Sequence, residues 1–185
     1  MVFIRQKRIK KSYYAYLVEN IWTKKGSRQQ VKAYLGRIVD LEPDEKKFTD
    51  TLSNIQDYVT QNSITQIVHE LITFELRRSG FNETLTLGNL KFEIKTYSTT
   101  LLRKDGKPGN IILKSHDGYI CKETISPLLA FNPMGEDDRE DATILAKLFV
   151  EAGLQVPKEL FIELYQKLRK NTPIVQNAEE KHKES

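Results

Sequence analysis

The chain opens with three stretches whose apolar and polar residues alternate at the spacing of a strand. "VFIRQKRI" (2–9) mixes apolar with basic residues, and "YYAYLVENIW" (13–22) is dense in aromatic and β-branched types. "TKKGSR" interrupts the pattern, with Gly26 free to adopt a positive φ. "QQVKAYLGRI" alternates again, with Val31, Ala33 and Leu35 directed to a core and Lys32 and Tyr34 directed away from it. Together they predict an antiparallel β-meander over residues 1–40, with Gly36 marking where the third strand kinks or ends. So small a meander is expected to lean on the rest of the chain for its core.

Beyond residue 40 the period changes from two to 3.6. Pro43 followed by Asp44 and Glu45 reads as a helix start, and Phe48, Leu52, Ile55 and Val59 share one face, predicting a helix over 44–60. Ser63 and Gln66 form a capping pattern for a second helix, 63–79, with Arg77 and Arg78 in its last turn and Gly80 just past its end. Its apolar positions wrap broadly, as in a buried central helix. "LKFEIKTY", "STTLLRK" and "NIILKS" predict strands between about 88 and 118, joined by turns at Asp105-Gly106, Pro108-Gly109 and 116–118. Three more helices are expected over 124–131, 137–152 and 157–170, the first opened by Ser126-Pro127. Residues 171–185 lack periodicity and read as a flexible tail. The predicted fold is α+β: a basic meander module (1–40) ahead of an α+β domain (41–170) that contains a second small antiparallel sheet.

Composition fits a soluble globular chain: of 185 residues, 39% are hydrophobic and 29% charged. No apolar run reaches the roughly 18–20 residues of a membrane span, and the N-terminus lacks the apolar core of a secretory signal. A single cysteine, Cys121, rules out an intrachain disulfide and suits a reducing, cytoplasmic setting.

Charge changes the picture more. The net charge of +4 hides an asymmetry: residues 1–37 hold ten of the 29 Lys/Arg and one acid, Glu19, so this opening is +9 and the remainder −5. Such a segment points to an anionic partner. Nucleic acid is the expected one, because neutralised phosphates release counterions and unpaired bases stack on aromatic rings. The residues expected to meet phosphates are Arg5, Lys7, Arg8, Lys10, Lys11, Lys24, Lys25, Arg28, Lys32 and Arg37. Tyr14, Tyr16, Trp22 and Tyr34 either stack on bases or complete the core. Lysines that merely solvate an edge strand are the plainer account, yet an edge needs only one or two of them. An acidic protein surface is the alternative partner, making the chain an adaptor or regulator.

The same opening, through Tyr14, Tyr16, Val18, Lys25, Gly26, Arg28, Gln30, Val31, Leu35, Gly36 and Arg37, resembles the N-terminal region of DDE-class insertion-sequence transposases. There a basic strand leads to a Tyr-rich strand, a basic Gly turn and a Val-x-x-x-Leu-Gly-Arg strand. The resemblance covers about a fifth of the chain and implies nucleic-acid contact. Similar openings also occur in small archaeal proteins whose size this chain shares. Those transposases carry three dispersed carboxylates for two metals. No such triad is visible here, so the likeness implies at most a transposase-derived relic without activity.

Other candidate chemistry is thin. "GEDDRED" (135–141) could gather a cation, but calcium-loop spacing is missing and acids at a helix start explain it. His116, Asp117 and Cys121 lie close in sequence, but neighbours in a turn seldom converge as nucleophile and base. His69 is expected to be a partly buried histidine within its helix. No phosphate-cradling glycine motif occurs. The expectation is a non-enzymatic, cofactor-free, metal-free nucleic-acid-binding protein.

Overall fold

The computed structural model describes residues 2–24, 26–103, 105–134 and 137–170. The tail expected at 171–185, and Lys25 of the basic turn, lie outside the described residues.

The fold is α+β. The meander comprises β1 (Val2–Ile9), β2 (Ser12–Thr23) and β3 (Gly26–Asp40), paired antiparallel. A 3-10 turn (Phe48–Thr51) and the helices α1 (Ile55–Gln61) and α2 (Ile64–Arg78) follow. Next come β4 (Thr86–Leu87), β5 (Leu90–Glu93), β6 (Ser98–Leu102), β7 (Pro108–Ser115) and β8 (Gly118–Ile120). The helices α3 (Lys122–Leu129), α4 (Asp138–Glu151) and α5 (Lys158–Lys170) complete the described chain.

The two antiparallel groups do not stand apart. β3 pairs with β7 in parallel, from Arg37 opposite Ile111 to Asp40 opposite Lys114. One mixed sheet results, ordered β1-β2-β3-β7-β6-β5-β4, with β8 added beside β7. A parallel pair needs a long crossover, here supplied by residues 41–107. Gly36 therefore does not end the third strand, which runs on to Asp40. Gly36 lets β3 approach β7: a Cβ there would sit 2.5 Å from the Asn110 carbonyl oxygen.

The main core packs helices against β5, β6 and β7. Ile67, Val68, Ile72 and Leu76 of α2 are fully buried and meet Phe92, Ile111 and Leu113 of the sheet. Each such side chain contributes about 1.5–3 kcal/mol by leaving water. The capping expected at Ser63 is present: its hydroxyl accepts the Gln66 N–H at 3.2 Å. A smaller cluster forms around Ala15, Ile38, Ile112 and Cys121, flanked by Ile4, Leu35 and Tyr119.

Two expected helices change. The helix at 44–60 is replaced by extended chain, the 3-10 turn and the short α1. Asp44 accepts the Lys46 N–H instead of starting a helix, and its own N–H bonds to the Arg78 carbonyl. Asn54 then caps α1 by accepting the Asp57 N–H at 3.1 Å. α3 starts at Lys122, before Ser126-Pro127, with Pro127 inside it. Pro127 lacks the N–H that would bond the Glu123 carbonyl, so the helix gives up one backbone bond there.

Candidate nucleic-acid interface

Cross-strand partners share a face of the sheet. The pairings Lys7–Tyr14, Tyr14–Arg37, Arg37–Ile111, Ile111–Thr99 and Thr99–Phe92 therefore trace one row from β1 to β5. The row changes character midway. Ile111, Thr99 and Phe92 are buried beneath helices, whereas Lys7 and Arg37 are exposed and Tyr14 is half-buried. A second row, Arg5–Tyr16–Tyr34, lies beside the outer half.

The aromatics on this outer face gather. Tyr34 lies 6.3 Å from Tyr14 and 5.4 Å from Tyr16, centroid to centroid. Arg5 reaches Gln29 across the face at 2.7 Å. Burial, and then the neighbouring Tyr14 and Tyr16 hydroxyls, push the Tyr34 phenol above its ordinary value, with the Arg103 charge acting against them. Tyr14, Tyr16 and Tyr34 thus form a partly solvent-facing cluster with Arg5, Lys7 and Arg37 on the same face.

Two bulges in β3 make this possible. Register shifts fall between Ala15 and Tyr16 and between Leu17 and Val18, leaving Leu35 and Lys32 as the extra residues of β3. Strict alternation would put Arg37 on the face opposite Tyr34. The bulge at Leu35 returns it to the same face. The bulge at Lys32 also corrects the expectation that Val31 points to the core: Val31 pairs with Val18 and is 60% exposed.

The remaining basic residues are not on this face together. Arg8 sits over the Tyr13 ring at 5.9 Å on the other face, and Lys10 and Lys11 form the β1–β2 turn. Lys32 pairs with Glu19 at 2.7 Å, and its hydrogen bond and charge hold the Glu19 carboxyl below its ordinary value. Lys24 and Arg28 lie where β2 and β3 run past the end of β1 at Val2–Glu19 as a two-stranded ribbon. Trp22, 87% exposed, lies near the ribbon tip and does not join the tyrosine cluster.

The structure adds a residue that the sequence did not single out. Arg103 follows β6 and lies across Gly109, where a Cβ would come within 3.1 Å of its Nε and Nη2. With Tyr14, Tyr34, Arg37 and Asn110 it lines a cleft of about 400 Å³ at the seam between meander and β6–β7. No local signal marks Arg103, because its place depends on β3 pairing with β7.

The other chemistry candidates have structural partners. Asp137 caps α4 by accepting the Arg139 and Glu140 N–H groups at 2.8 and 3.3 Å, while Gly135 and Glu136 lie outside the described residues. Among the described residues no three His, Cys, Asp or Glu side chains are grouped to hold a metal ion. His69 meets the Tyr97 hydroxyl at 2.7 Å. His116 turns away from Cys121: its Nε2 lies 3.0 Å from Glu75 Oε1 and 2.8 Å from Arg78 Nη2.

Cys121 is buried, and burial pushes its thiol up to about 12 from an ordinary 9.0. The unfolded chain ionises first, so this group's stabilisation is present below about pH 9 and lost as pH rises through about 12. Native protein at neutral pH is expected to resist a thiol reagent that labels the denatured chain within minutes. Fast labelling of the native state would show that the start of α3 opens.

Among the described residues no helix is long and apolar enough to cross a membrane. No family model matches the chain, and no curated protein or solved structure is significantly similar to it.

Proposed function

We propose that this protein binds nucleic acid, without catalysing a reaction on it, through the outer face of its N-terminal meander. The observation that carries this reading is the pair of rows Lys7–Tyr14–Arg37 and Arg5–Tyr16–Tyr34, with cations beside a tyrosine cluster on an uncovered sheet face. Cations on one surface neutralise phosphates, and adjacent flat rings offer stacking area. The +9 charge of residues 1–37 supplies the long-range attraction. The likeness of this region to the start of DDE-class transposases adds support. Supporting a purely binding role, Asp137, His116 and Cys121 are each engaged in capping, hydrogen bonding or packing.

A salt series on labelled oligonucleotides tests it. The log of the binding constant is expected to fall linearly with log salt, by about 0.7–0.9 per phosphate contact. An Arg5/Lys7→Ala variant, which removes two cations of that face, is expected to flatten the slope by about 1–2. A salt-independent response would exclude the proposal.

A further inference from the structure

Resting on that reading, we infer that the seam cleft is an anchor for one nucleotide of a single strand. Its phosphate lies between Arg37 and Arg103, and its unpaired base lies on Tyr34. The ligand class is thereby narrowed to single-stranded nucleic acid, and Arg103 becomes a binding residue.

Three observations support the assignment. Arg37 and Arg103 come from different parts of the sheet and line the same cleft with Tyr14, Tyr34 and Asn110. Among the described residues neither guanidinium has a carboxylate within ion-pair distance, unlike Lys32 with Glu19 and Arg78 with Glu75. A planar guanidinium fork matches a phosphate better than an ammonium does.

The third observation is the position of the aromatic surface. Tyr34 is 52% exposed and borders the same cleft, so its ring is open to a base held beside the anchored phosphate. Bases inside a duplex are stacked on one another, and stacking on a side chain requires an unpaired base. A duplex would offer phosphates to the two arginines but no unpaired base to the Tyr34 ring. The projecting β2–β3 ribbon is compatible with a duplex groove, which makes duplex binding the competing outcome.

The test compares dT12, U12 and a 12-base-pair duplex by fluorescence anisotropy across a salt series, using the full chain. Both single strands are expected to bind at least about tenfold tighter than the duplex. Their relative affinities separate DNA from RNA without affecting the inference. Tyr34→Ala is expected to weaken single-strand binding about five- to a hundred-fold with little change for the duplex. Tyr34→Phe, which keeps the ring, should bind like the parent. Arg103→Gln should weaken single-strand binding and lower the salt slope by about 0.7, and Arg103→Lys should restore the slope but only part of the affinity.

Duplex binding as tight as that of dT12, with Tyr34→Ala silent, overturns the inference. So does an Arg103→Gln slope equal to the parent's while the Arg5/Lys7→Ala variant still flattens it. That second result leaves the meander reading standing, whereas a flat salt response in the parent protein removes both.

Discussion

Replacing Glu75 with alanine is expected to destabilise the protein by about 3–5 kcal/mol, the typical cost of leaving a buried charge without its partner. Glu75 is 2% exposed in α2. Its Oε2 accepts from Arg78 Nε at 2.9 Å and lies 2.8 Å from Nη2 of the same guanidinium. Its Oε1 accepts from the Ser115 hydroxyl and faces His116. Arg78 continues outward, donating to the Asp44 and Lys46 carbonyls and to Gln155 Oε1. One buried carboxylate thus ties α2 to the β7–β8 turn and, through Arg78, to the segment after β3 and the α4–α5 loop.

Removing the carboxylate leaves a nearly buried guanidinium uncompensated and four chain segments less firmly joined. Urea unfolding of Glu75→Ala, Arg78→Met and the double variant measures the effect. A coupling of about 1–3 kcal/mol between the two sites is expected. A single-variant loss below about 1 kcal/mol, or strictly additive losses, would show that the network does not hold these segments.

The second large effect is expected at Gly36. An alanine there places its Cβ 2.5 Å from the Asn110 oxygen and 2.7 Å from the Asn110 carbon, so β3 and β7 must separate. Backbone atoms cannot rotate out of the way as a side-chain end can. Overpacking costs about 1–3 kcal/mol, and a non-glycine residue at φ +148 adds about 1–3 kcal/mol. For a chain of this size the thermal midpoint should fall by about 4–24 °C. Arg37 is the next residue and the first to pair with β7, so the same change should loosen the seam cleft. An unchanged midpoint would mean that the two strands are not so closely apposed.

Much of the architecture follows from local pattern. The three meander strands, the cap at Ser63 and α2 all lie where periodicity and turn chemistry put them, because backbone hydrogen bonding and side-chain alternation act over neighbouring residues. The helix expected at 44–60 failed for a non-local reason. Asp44 and its neighbours are held by Arg78, 34 residues away, and that attachment outweighs a proline–acid start signal.

The candidate interface divides along the same line. Local sequence alone established that residues 1–37 are strongly basic, aromatic and β-forming, since charge and residue type require no partner to be read. It also determined that Arg5 and Lys7 lie two apart on one strand face. Folding is what sets them opposite Tyr16 and Tyr14, lets two bulges return Arg37 to the face of Tyr34, and brings Arg103 beside them. Register, bulges and the parallel β3–β7 seam are set by packing across many residues. The Gly36 that reads in sequence as a strand kink or end is, in the fold, the point where two halves of one sheet meet.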